Sequence, residues 1–240
     1  FVPTIEHLES LVDENTVAIL YNFPSNPTGA TITVDQRDEL VAFAQKHDLW
    51  IITDEVYDRI VFDNEHVSFV GCDDERVILI NSFSKTYAMT GWRIGYILSA
   101  NKEAMSRMIK LQYYITACSN DAMQYAVLTA INEADDYPDE MCAEFKSRRD
   151  LICSRLNAMP GVECHIPEGA FYVFPKVNVP GMTSEEVAIE LLKGGVLCSP
   201  GSAFGPSGEG HLRFAYTISR DDIALGMDKT EKVLMRLRGD

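Results

Sequence analysis

Short apolar runs alternate with polar, turn-forming stretches through the first hundred residues, and that alternation points to a fold class. Val17-Ala18-Ile19-Leu20 is wholly apolar, and the stretch after it, Asn22-Phe23-Pro24-Ser25-Asn26-Pro27-Thr28-Gly29, can continue neither helix nor strand. This predicts a strand and then a loop. Thr33-Val34-Asp35-Gln36 has the form of a capping box, and Leu40, Val41, Phe43 and Ala44 follow at helical spacing before the run Leu49-Trp50-Ile51-Ile52-Thr53. This predicts a helix and then a buried strand. Val77-Ile78-Leu79-Ile80 and Ile94-Gly95-Tyr96-Ile97-Leu98 repeat the short apolar theme. Strands apolar on both faces are what a parallel sheet covered by helices requires, so the first half reads as α/β.

From Lys102 to about Met159 the periodicity becomes helical, with Met105, Met108, Ile109 and Leu111 on one stretch and Met141, Phe145, Leu151, Ile152 and Leu156 on a later one. Asp135-Asp136-Tyr137-Pro138 breaks it, with the proline at a first turn. Beyond Pro160-Gly161 the signals mix. Strands are predicted at Ala170–Phe174, Gly195–Cys198 and His211–Thr217, and helices from the Thr183-Ser184-Glu185-Glu186 cap to Leu192 and from Ser219 onward. With no repeat and no low-complexity linker, the expected organisation is a large domain over residues 1–140, then a connecting helix and a smaller α+β domain over 141–240.

Composition narrows the function classes. The 240 residues are 46% hydrophobic and 24% charged, enough for packed cores, and no apolar run approaches the ~20 residues of a bilayer span. With 36 acidic against 21 basic residues, the formal charge of -15 repels phosphate backbones and anionic lipid, which argues against nucleic acid or a membrane as partner. Six scattered cysteines, with no C-x-x-C pair and no histidine at metal-ligand spacing, suit separate buried thiols in the cytoplasm and no bound metal. The chain opens on Phe1-Val2-Pro3-Thr4 without a methionine or a targeting pattern and reads as the latter part of a longer protein.

The candidate chemistry lies in Ser82-Phe83-Ser84-Lys85-Thr86-Tyr87-Ala88-Met89-Thr90-Gly91-Trp92-Arg93-Ile94-Gly95-Tyr96, which sets a lysine among hydroxyls at the end of an apolar strand. Most loop lysines are merely solvated. Here Ser82 and Arg93 would offer a hydroxyl and a guanidinium to an anionic group, the charge-assisted geometry by which arginine holds phosphate.

Asn26-Pro27-Thr28-Gly29, Asp54-Glu55-Val56-Tyr57, Ser82-x-Ser84-Lys85 with Gly91-Trp92-Arg93-Ile94-Gly95, and Leu212-Arg213-Phe214 together resemble, in order, the signatures of class I/II pyridoxal-phosphate aminotransferases. Alone, N-P-T-G is a turn and D-E-x-Y a helix cap; the four in order are specific, and the resemblance covers essentially the whole chain. The Ala88–Arg93 string most resembles the aspartate and broad-specificity branch. The fold implied is the PLP-transferase type I fold, with a mainly parallel, incomplete large-domain sheet and a smaller C-terminal α+β domain. The reaction implied is amino-group exchange between an amino acid and a 2-oxo acid, ping-pong, through a lysine aldimine of pyridoxal 5'-phosphate (PLP) in a homodimer.

By the same resemblance Lys85 carries the cofactor and moves the proton, and Asp54 pairs with the pyridine nitrogen. Tyr57 and Asn26 hydrogen-bond the phenolic oxygen, Asn26 also lying toward the substrate. Ser82, Ser84 and Arg93 hold the phosphate, and Arg213 clamps the substrate carboxylate. A lyase or an aminocyclopropane-carboxylate synthase-like elimination would use the same residues, and an inactive or ligand-binding aminotransferase-like domain stays open. The family's glycine-rich phosphate turn, ring-stacking aromatic and cross-subunit tyrosine have no counterpart in residues 1–25, so the 240 residues by themselves are expected to bind PLP weakly. Gln112-Tyr113-Tyr114, lying past the lysine strand, is expected to serve helix packing rather than to line the substrate mouth.

Overall fold

The computed structural model describes residues 1–72, 75–134 and 136–239 and divides into two compact units. The first comprises residues 1–24 and 30–140; the second comprises 25–29 and 141–240. Asp135, part of the expected break in the helical stretch, lies outside the described residues.

In the first unit α1 (Ile5–Glu9), β1 (Ala18–Asn22), α2 (Val34–Lys46), β2 (Trp50–Asp54), β3 (Val77–Ser82), α3 (Phe83–Thr86), β4 (Gly95–Leu98), α4 (Lys102–Ile115) and α5 (Asp121–Glu133) follow in order. The sheet runs β1-β2-β3-β4, with β1, β2 and β3 parallel and β4 antiparallel to β3. The capping box forms as the sequence predicts: Thr33 accepts from the Gln36 amide, and the Gln36 side chain accepts from the Thr33 amide. Such a cap contributes about 1 kcal/mol to α2. The helix lays Leu40, Phe43 and Ala44 into a core with Tyr21, Phe23, Leu49, Ile51, Phe69 and Val77.

Register brings the carboxyl ends of the parallel strands level. Asn22 lies opposite Asp54, and Ser82, the last residue of β3, lies opposite Gly95 of β4. A side chain at position 95 would meet the Asn81 carbonyl oxygen at 2.6 Å, so only glycine lets β4 start here. The face of α4 expected to pack is instead open. This helix has no buried residue, and Tyr113 and Tyr114 are 69% and 81% exposed, because no described element covers them.

The second unit contains α6 (Tyr137–Asn157, entering it at Met141), β5 (Val162–Glu163), β6 (Tyr172–Val173), β7 (Lys176–Val177), α7 (Ser184–Lys193), β8 (Ser199–Pro200), β9 (Leu212–Ala215) and α8 (Arg220–Arg238). β9 lies between β6 and β8, antiparallel to both. The strand expected at Gly195–Cys198 is displaced. Gly195 turns at φ +83°, and pairing begins only at Ser199, where β9 offers a partner. The core gathers Phe145, Ile152 and Leu156 of α6 with Phe171, Val173, Leu191, Leu212, Tyr216 and Leu234. Cys153 and Cys164 are not separate thiols but buried neighbours, Sγ to Sγ 3.9 Å, whereas Cys118 is exposed. No helix among the described residues is long and apolar enough to cross a membrane.

Candidate active site

Six of the predicted residues lie in the first unit, at the carboxyl ends of β2 and β3, where open α/β sheets place their ligands. Asp54 ends β2, Tyr57 follows in the turn, Ser82 ends β3, and Ser84 and Lys85 lie on the single turn of α3. Ser82 caps that turn, its hydroxyl accepting from the Ser84 amide at 3.3 Å. Arg93 sits in the left-handed region at φ +55° before β4, and its Nη1 donates to the Thr90 carbonyl at 2.7 Å. Ser82, Ser84 and Arg93 line one cavity of about 800 Å³, which Gln112 and Tyr113 also border.

The electrostatics fit the chemistry the sequence suggests. Burial depresses the Lys85 amine, and the Arg93 charge adds to this, while Asp54 opposes it. Its Nζ stands 5.9 Å from the centroid of the Tyr57 ring, and that ring is itself buried. Asp54 shifts the other way: burial raises its carboxyl, Glu55 adds to the rise, and the Val56 amide and Lys85 pull against it. A carboxylate held at this cost, next to an amine that sheds its proton easily, is organised to receive a cationic group.

Asn26 and Arg213 belong to the second unit. Arg213 Nη1 donates to Asn26 Oδ1 at 2.8 Å and Nη2 to the Ser199 hydroxyl at 3.0 Å. The guanidinium lies over the rings of Tyr172 (4.6 Å) and Phe204 (4.9 Å), and its Nε is buried with no hydrogen-bond partner. A buried N–H of a cation without an acceptor is expensive, and an incoming carboxylate is the acceptor that would relieve it. The N-P-T-G turn is fixed from the same unit. The Gly29 carbonyl accepts from the Glu168 and Gly169 amides at 3.0 and 2.9 Å, and a Cβ on Gly29 would meet that of Pro167 at 2.3 Å.

Sequence reasoning did not single out several residues that complete these arrangements. Ser199 holds Arg213 from across the β8–β9 pair, and Tyr172 stacks on it from β6; only the register of short strands could have found them. Glu55 is 2% exposed. Burial pushes its carboxyl up, but the His66 imidazole at 2.7 Å and the Phe69 amide at 2.9 Å outweigh that and leave it lowered. It thereby ties the stretch 66–69 to the end of β2.

Comparison with known proteins agrees with this geometry. A profile described as "Aminotransferase class I and II" matches residues 1–229. The aspartate aminotransferase of Pyrococcus abyssi is 39% identical over 236 residues, covering 96% of this chain and 60% of that protein. The aromatic-amino-acid aminotransferase 2 of Thermococcus litoralis is 39% identical with the same coverage. The chain thus spans about 60% of the length of the curated relatives it matches. The crystal structure of an aromatic aminotransferase from Pyrococcus horikoshii superposes with a TM-score of 0.93 at 38% identity, over 98% of this chain and 64% of that one. The aspartate aminotransferase from Thermus thermophilus with maleate gives a TM-score of 0.91 at 29% identity, over 97% and 60%. The expected PLP-transferase fold is therefore the observed one, and the chain belongs to the class I and II aminotransferase family.

Proposed function

We propose that this chain carries the cofactor-binding and carboxylate-binding residues of a PLP-dependent transaminase, exchanging an amino group between an amino acid and a 2-oxo acid by a ping-pong route. The observation that carries the reading is the Lys85 amine, half-buried and depressed by burial and Arg93, in the turn that also offers Ser82. Such an amine sheds its proton more readily than an ordinary lysine, which suits it to act as nucleophile and base.

In this reading residues 1–140 form the cofactor-binding large domain and residues 141–240 the connecting helix and the small domain that carries Arg213. Ser82, Ser84 and Arg93 hold the phosphate, and Asp54 keeps the pyridine nitrogen protonated, the use to which a buried carboxylate next to a cation is suited. Tyr57 and Asn26 hydrogen-bond the phenolic oxygen. When bound, PLP supplies an electron-withdrawing ring that acidifies the substrate Cα–H. Lys85 would take the proton from that carbon and deliver it to C4′ of the cofactor. Arg213 orients the α-carboxylate through its unpaired Nε–H, steadied by Asn26 and Ser199. The maleate of the Thermus relative, a dicarboxylate, is the kind of anion such an arginine accepts. A homodimer, supported by the exposed Ile109, Leu111 and Ile115 of α4, and a cytoplasmic location belong to the same reading.

The test is to incubate the chain with PLP, reduce with borohydride and map the peptides. Label on Lys85 is expected, and label on a different lysine overturns the assignment.

A further inference from the structure

Asp58 follows Tyr57 in the turn after β2, and its backbone amide closes that turn on the Glu55 carbonyl at 3.0 Å. Its carboxylate reaches across to the turn after β3. Oδ2 accepts from Asn81 Nδ2 at 2.9 Å, and Oδ1 accepts from the Thr86 hydroxyl at 3.3 Å. Asn81 in turn accepts from the Ser82 amide at 2.6 Å through its own Oδ1. Asn81 and Thr86 are both buried, at 5% and 7% exposure, and they bracket the segment Ser82–Lys85. One carboxylate therefore grips the lysine turn at its entry and at its exit, and that carboxylate is covalently adjacent to the tyrosine whose ring faces Lys85.

We propose that Asp58 is a positioning residue that fixes the Lys85 turn against Tyr57 and so keeps the amine in its half-buried place. The α3 turn has only four residues and cannot hold itself. A tether from outside the turn supplies what its length does not. The inference rests on the transaminase reading only for the use made of Lys85; the placement of the amine is a property of the chain itself.

The groups that face Lys85 are Arg93, Asp54 and the Tyr57 ring. Asp58 touches the turn and not the amine, through Asn81 and Thr86. As a tether it keeps the amine from solvent, so cutting it lets the amine return toward an ordinary lysine. The substitutions Asp58→Asn and Asp58→Ala separate loss of the carboxylate's charge from loss of the tether. Asparagine can still accept from Asn81 through its oxygen and can donate to the Thr86 hydroxyl through its amide. Alanine can do neither.

The experiment is competitive labelling of the 240-residue chain with acetic anhydride across pH, with peptide mapping of Lys85 against Lys110, an exposed lysine on α4. In the unsubstituted chain burial and Arg93 are expected to make Lys85 react at lower pH than an ordinary exposed lysine, with Lys110 as the internal standard. Asp58→Ala is expected to abolish that difference, and Asp58→Asn, which keeps both hydrogen bonds, to preserve it. An unchanged Lys85 profile in Asp58→Ala, or the same loss in both variants, overturns the proposal. If Asp58→Ala does not fold, Thr86→Val carries the test: a partial loss supports the tether, and an unchanged profile refutes it. Failure of PLP to label Lys85 in the unsubstituted chain would overturn the transaminase reading while leaving this amine profile, and the role it tests for Asp58, intact.

Discussion

Replacing Arg213 with lysine keeps the charge and removes the planar fork. The guanidinium has five N–H donors, and two are committed, one each to Asn26 and Ser199. The Nε–H and the remaining Nη hydrogens are left for a carboxylate, and the Nε–H is already desolvated without a partner. Lysine has three donors, no Nε, and no flat face to lie between Tyr172 and Phe204. If two of its hydrogens satisfy Asn26 and Ser199, one remains for the anion, so at least one charge-assisted hydrogen bond of about 1.5–3 kcal/mol is lost. Arg213→Lys should therefore bind a carboxylate roughly 10-fold to 150-fold more weakly. The probe is maleate, followed through the Arg213 Nε–H resonance in the ¹⁵N spectrum of the unsubstituted chain and by calorimetry for both proteins. In the unsubstituted chain that resonance should move downfield as the carboxylate engages it. Affinities within twofold of each other, or a maleate titration that leaves the Nε–H unmoved, would refute the reasoning.

Two further outcomes are expected. Gly29→Ala forces a side chain into a left-handed position (φ +68°) and against Pro167, so it should cost about 2–4 kcal/mol, read as a lower urea midpoint for the second unit. Glu144 is depressed from 4.5 to about 2 by its hydrogen bonds to Arg220 and then Arg148. Its contribution to stability is thus fully present above 4.5 and lost as pH falls through about 2. The difference in urea midpoint between the unsubstituted chain and Glu144→Gln should close over that interval, and a gap that persists below it would sink the assignment.

What could be seen in the sequence was whatever is encoded locally. The apolar runs of β1, β2 and β3 announced themselves because short apolar runs bounded by turn-formers suit the strands of a parallel sheet, although Leu20 on β1 is 69% exposed, and the Thr33 and Thr183 caps because their partners lie three residues away. The motif-bearing residues were equally legible. Features that depend on pairing between distant segments were not. Gly195–Cys198 looked like a strand from its apolarity, yet Leu197 is 83% exposed and the ladder forms two residues beyond, where β9 is. Arg149, four residues after Phe145 and three before Ile152, is 4% exposed and donates to the Pro167 carbonyl at 3.2 Å, a partner that local sequence does not reveal. The approach of Cys153 to Cys164, the grip of Ser199 on Arg213 and the reach of Asp58 to Asn81 likewise follow from the folded chain and leave no periodic trace.

The five residues Ser25–Gly29 belong to the second unit although both their neighbours in sequence belong to the first. During synthesis they leave the ribosome long before their partners exist. Gly29 waits for Gly169, about 140 residues later, which at 5–20 residues per second is roughly 7–28 s. Asn26 waits longer still, for Arg213, 187 positions away. Throughout that interval the sheet strands on either side of the pentapeptide can already pair, while the pentapeptide has nothing to dock against. The second unit is therefore obliged to mature last, and a ribosome stalled before Arg213 would display a nascent chain in which the guanidinium that Asn26 binds has not yet been made.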